Sequence, residues 1–244
     1  MRSFDQRIKR SFLFITFGLA WSMAALLLAR PDLPSPYFLF FACLAPVAAA
    51  YIVHESTTNR SLVQSVFLKA KPNSWWLLSV IIPILFAVTF IFSYPIEWFT
   101  FHSWWFLLVG ISFFLEVGWR GFFQKELELK SFWLSSLTTG ILMACWTTPL
   151  LLVFFGLDDA HLLPFILYFL FIAAPSTLFI SLTKSLIPPI ILNGLLLYLL
   201  TVLLPSFPML VVYFSLLLFL NGLTMLANSV FPEYFYRSFV KHEH

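Results

Sequence analysis

Eight apolar stretches of roughly membrane length dominate this chain, over about 11–29, 36–53, 75–94, 103–122, 132–155, 162–183, 185–204 and 208–228. A bilayer core takes about 20 mostly apolar residues as a helix. None of the runs has the ten-residue alternation of a barrel strand. In hydrocarbon every backbone N–H and C=O must be bonded internally, which makes helices the spanning form here. Only 10% of the 244 residues are charged and 61% are hydrophobic, whereas a soluble domain carries roughly 25% charged residues. The expected fold is an all-α, polytopic membrane helix bundle of about eight transmembrane helices, a single integral membrane domain over 1–244.

Charge placement gives the orientation. With the N-terminus inside, an eight-helix chain puts 13 of its 14 lysines and arginines in the cytoplasm and leaves only Arg30 outside. Cytoplasmic loops of membrane proteins carry such an excess, so both termini are expected in the cytoplasm. The basic N-terminal residues lead into an apolar run too long for a signal peptide, which makes that run a first spanning helix. Connections are short, and the longest covers His54 to Ser74. Function therefore belongs to the bundle or its cytoplasmic rim. Prolines within the runs (Pro46, Pro83, Pro149, Pro175 and the pair Pro188–Pro189) predict kinks or broken helices.

Chemistry inside such a bundle needs ionisable groups, and these are few. All five histidines (His54, His102, His161, His242, His244) fall in loops, at helix borders or in the tail. No histidine pair has metal-ligand spacing and no HExxH is present, so no metal or other cofactor is expected. A GxSxG elbow is missing, and Asp5, Asp32, Asp158 and Asp159 all lie outside the runs, which removes an intramembrane aspartyl dyad. Cys43 and Cys145 form neither a disulfide framework nor a CxxC knuckle. The net charge of +3 is spread between apolar runs and makes no nucleic-acid stripe. What is left is Glu116 and Arg120, four apart at the end of the fourth run. On an α-helix they share one face and can pair.

Around that pair the chain resembles a known family. LEVGWRGFFQKEL is similar to the first motif, EExxxR, of the CPBP intramembrane proteases, which include type II CAAX prenyl endopeptidases and bacteriocin-immunity proteins. Leu44-Ala45-Pro46-Val47-Ala48-Ala49 resembles the proline segment of the family's second helix. Met143 to Leu150 resembles its second motif, which ends in WHxP. Ser185 to Leu197 resembles the third, SxxxxxxxHxxxN. Order and spacing match over about residues 40–200.

The resemblance implies a degenerate site. Glu116 and Arg120 match the second glutamate and the arginine of the first motif. The first glutamate, which in the family activates water, falls on Leu115. The two motif histidines fall on Thr147 and Asn193, and the final asparagine on Leu197. Hydrolysis needs a base or a metal to make hydroxide, and threonine, asparagine and leucine supply neither. The expected protein is a proteolytically inactive homologue, multi-pass in a bacterial cytoplasmic membrane. It would bind a membrane-embedded or prenylated peptide, or a membrane protein, with Thr147 and Asn193 as polar contacts. The alternatives are an active endopeptidase with a reduced site centred on Glu116, aided by His54 or His102, and a small transporter or channel subunit.

Overall fold

Each apolar run forms a helix, the form that bonds nearly all of its backbone N–H and C=O groups within the segment. The computed structural model describes residues 2–56, 74–93, 104–127, 131–156 and 159–232. Among these are α1 (Arg2–Ala29), α2 (Ser35–Glu55), α3 (Trp75–Ser93) and α4, which runs as Trp104–Leu115, Glu116–Gln124 and Lys125–Leu127. They continue with α5 (Phe132–Phe155), α6 (Asp159–Thr183), α7 (Ile187–Leu203) and α8 (Phe207–Val230). No strand occurs among the described residues. His102 and Asp158 lie outside them.

The helix ends follow the local sequence. Ser131 caps α5, its hydroxyl accepting from the Leu134 amide at 3.1 Å. Gly156 closes the same helix in the left-handed region, φ 60°, its amide bonded to the Leu151 carbonyl. Ser185 starts α7, where its hydroxyl accepts from the Ile187 amide at 3.2 Å. In the link from α1 to α2, Arg30 and Asp32 form an ion pair with both side chains nearly two-thirds exposed. The guanidinium holds the Asp32 carboxyl below its ordinary range.

Among the described residues, five helical stretches are long and apolar enough to cross a membrane: Gln6–Ala29, Ser35–Glu55, Phe132–Phe155, His161–Thr183 and Phe207–Val230. Ile187–Leu203 is apolar but shorter, about 25 Å at 1.5 Å per residue, against a core of about 30 Å. Large apolar side chains such as Phe14, Leu28, Phe207 and Phe219 point outward, the surface a chain in lipid presents.

The prolines do two different things. Pro188 and Pro189 do not break a helix, contrary to the sequence expectation. They sit in the first turn of α7, where a missing N–H would have had no partner anyway. Pro175 lies inside α6 and deprives the Phe171 carbonyl of its usual donor four residues on. Asn221 of α8 fills the gap, its Nδ2 donating to Phe171 O at 2.7 Å. A backbone defect in one helix thereby becomes a tie to another.

The site depends on α4 and α7. The first half of α4 lies against α7, and its second half lies against α2 and α5. Two glycines allow these approaches. At Gly194 an added Cβ would stand 2.7 Å from Val109 Cα, and at Gly118 one would stand 2.6 Å from the Pro46 carbonyl oxygen. Real side chains do not tolerate such distances, so the backbones meet because these residues have no Cβ.

Candidate functional site

From Glu116 to Gln124 the chain is a π-helix, nine residues long and buried at every position. This corrects the expected α-helical turn. It also corrects the expected depth: twelve residues of α4 precede Glu116, and both Glu116 and Arg120 are 0% exposed rather than at a helix border. A π segment is rare, and where it occurs it often marks a functional site. Here close packing on both sides accompanies it. Gly118 rests on Pro46 of α2. Trp119 is enclosed edge-on by Phe12 and Phe17 of α1, Phe123 and Trp146, with ring centroids 5.4–6.3 Å away. Trp146 in turn donates from Nε1 to the Thr16 carbonyl at 3.3 Å, and Trp21 Nε1 donates to the Trp146 carbonyl at 3.3 Å. This aromatic wall fixes the face of the π segment opposite α7.

On the α7 side the polar groups join in a row. Arg120 Nη1 donates to Glu116 Oε1. The same oxygen accepts from Asn193 Nδ2 of α7 at 2.8 Å. The hydroxyl of Tyr168 on α6 donates to Asn193 Oδ1 and lies 2.9 Å from the Asn193 main-chain oxygen. All four residues are 0% exposed. Among the described residues, Glu116 Oε2 and the Nε and Nη2 of Arg120 have no hydrogen-bond partner. Buried polar atoms are nearly always partnered, so three orphans on two neighbouring side chains mark this spot out.

The structure treats the expected site residues differently. It brings Glu116, Arg120 and Asn193 together. Thr147 is not hydrogen-bonded to them: it is half-buried, and its hydroxyl donates to Met143 O at 2.7 Å within its own helix. Leu115 and Leu197, 2% and 6% exposed, belong to the apolar core. His54 is in the last turn of α2 and meets the ring of Phe122, one residue past Gly121, with centroids 6.3 Å apart. No group of three His, Cys, Asp or Glu that could hold a metal occurs among the described residues.

Sequence reasoning missed two residues. Tyr168 had a readable signal, since a tyrosine well inside an apolar run leaves the interface it prefers and must find a partner for its hydroxyl. Gln124 had none. It stands beside the charged residues expected to enter water, yet it is fully buried, and its Nε2 donates to Thr177 Oγ1 of α6 at 2.7 Å.

A protein-family model matches residues 97–199, a segment that includes Glu116, Arg120, Thr147, Tyr168 and Asn193; its description is type II CAAX prenyl endopeptidase Rce1-like. Residues 97–199 are similar to that family. An independent comparison thus points to the same family over a range that contains the three motif segments, while the proline segment around Pro46 precedes that range. No curated protein matches the chain. The Rce1-like segment supplies the elements that meet at Glu116: the π-helical half of α4, α6 and α7.

Proposed function

We propose that this protein binds a membrane-embedded or prenylated peptide, or a membrane protein partner, in its Rce1-like bundle without hydrolysing it. The observation that carries this reading is the state of Glu116. Its Oε1 already accepts from Arg120 and Asn193, so the carboxylate is a junction between α4 and α7. Around it, the positions that the resemblance gives to the other reacting groups hold Leu115, Thr147, Asn193 and Leu197. None of these takes a proton from water at neutral pH. The chain is read as one membrane domain with both termini in the cytoplasm, on the distribution of lysine and arginine. Its compartment is read as the bacterial cytoplasmic membrane, on the resemblance to bacteriocin-immunity proteins.

The test compares new protein termini in membranes of a deletion strain complemented with wild type or Glu116→Ala. Matching profiles, at equal accumulation of the two proteins, support a non-hydrolysing binder. Termini that appear with wild type and vanish with the variant would mean an endopeptidase with a reduced site, and the binding-only reading would fail.

A further inference from the structure

The row of hydrogen bonds at Glu116 has a direction. A carboxylate only accepts, whereas the asparagine side chain has one accepting and one donating end. With Glu116 at one end of the Asn193 amide, Nδ2 must face it, and Nδ2 lies 2.8 Å from Oε1. Oδ1 then points the other way and needs a donor, which the Tyr168 hydroxyl supplies. Tyr168, Asn193 and Glu116 come from three different helices and are all 0% exposed, so no solvent replaces a missing member.

We propose that Tyr168 is the positioning residue of the Glu116 site: its hydroxyl holds the Asn193 amide with its nitrogen on Glu116 Oε1, so that Oε2 is the carboxylate oxygen left without a partner among the described residues. This rests on the reading of the bundle around Glu116 as the place where a partner binds. Removing the hydroxyl as Tyr168→Phe keeps the ring but leaves Asn193 Oδ1 without its donor. The amide is then free to turn, and Nδ2 loosens from Glu116, two hydrogen bonds from the change. A tyrosine that merely fills space would transmit nothing to the carboxylate.

Tyr213 provides the control. It too is 0% exposed and donates to a residue of α7, the Leu196 carbonyl at 2.8 Å, but it does not bond Asn193. Infrared difference spectra of the full chain in lipid nanodiscs, each background minus its own Glu116→Gln variant, isolate the Glu116 carboxylate stretch. The expected result is a shift of that band in Tyr168→Phe, in the same direction as in Asn193→Ala, with no further shift in the double variant. Tyr213→Phe should leave the band in place. If Tyr168→Phe does not fold, 3-fluorotyrosine incorporated at 168 keeps the shape and strengthens the donor, and the band should move the opposite way. A stationary band in folded Tyr168→Phe, or an equal shift from Tyr213→Phe, would overturn the assignment. The partner reading is scored separately, by whether Glu116→Gln reduces photo-cross-linking of peptide to the bundle. A shifted band with unchanged cross-linking supports Tyr168 as positioning residue and removes the partner site.

Discussion

Replacing Arg120 by methionine should be among the most damaging single changes in the bundle. The substitution keeps a long flexible side chain and removes only the guanidinium. Glu116 then stays wholly buried, with Asn193 Nδ2 as the one donor on Oε1 and none on Oε2. Breaking a buried ion pair from one side costs about 3–5 kcal/mol, or roughly two to three and a half powers of ten in the folding equilibrium at 1.4 kcal/mol per tenfold. Removing both charges is a different matter. In Glu116→Leu/Arg120→Met no ion is left buried, and the residual cost is one orphaned donor on Asn193, about 1–3 kcal/mol. The double variant should therefore be more stable than the single one. Reversible unfolding in mixed micelles, followed by the fluorescence of the nine tryptophans, measures both. An Arg120→Met protein within about 1 kcal/mol of wild type, or a double variant no better than the single, would refute the view that Arg120 exists to neutralise Glu116.

Two further outcomes follow from backbone contacts and use the same assay. Gly118→Ala should lose about 1–3 kcal/mol by overpacking, because its Cβ would stand 2.6 Å from the Pro46 carbonyl oxygen. Gly110→Ala in the same helix, where nothing lies within 4 Å of the added carbon, should be neutral or slightly stabilising. Asn221→Ala should cost about 0.6–2 kcal/mol by abandoning the Phe171 carbonyl, and Pro175→Ala should recover part of that loss by restoring an in-helix donor. Equal costs at the two glycines, or no rescue by Pro175→Ala, would contradict the packing described.

Much of the fold was legible because a membrane chain advertises its helices. Runs of apolar residues predicted the eight helices among the described residues, with most ends close to those observed, although α1 begins at Arg2 and α4 continues to Leu127. Pro188–Pro189 misled because proline at the start of a helix and proline within one look alike until the N-cap is known; Ser185 and Leu186 decide it. Glu116 was misplaced for a related reason. Hydropathy counts the charges that follow it, Arg120 and Lys125, as the approach of water. The helix instead stays inside the bundle to Gln124, where Arg120 is neutralised by Glu116 and the Gln124 Nε2 is bonded to Thr177. The Glu116–Arg120 pair was readable from its spacing, whereas the Gln124–Thr177 bond was not, since Thr177 is brought there by the fold.

The π-helical turn was beyond reach for the same reason. Nothing in EVGWRGFFQ announces it; Gly118 lets the segment lie on Pro46 of α2, and contacts with α2 and α5 and the Glu116–Asn193 bond to α7 accompany it. Its consequence bears on function. Glu116 faces Asn193 of α7, while Gln124 of the same segment reaches Thr177 of α6, so one stretch of α4 ties two other helices by side-chain hydrogen bonds at its two ends. An asparagine at position 193 suits such a junction better than a histidine would. Its amide donates to the carboxylate whatever the pH, whereas an imidazole near its ordinary pKa changes charge in the neutral range. The junction that results is internally bonded, with Glu116 Oε2 and the Nε and Nη2 of Arg120 left without partners among the described residues.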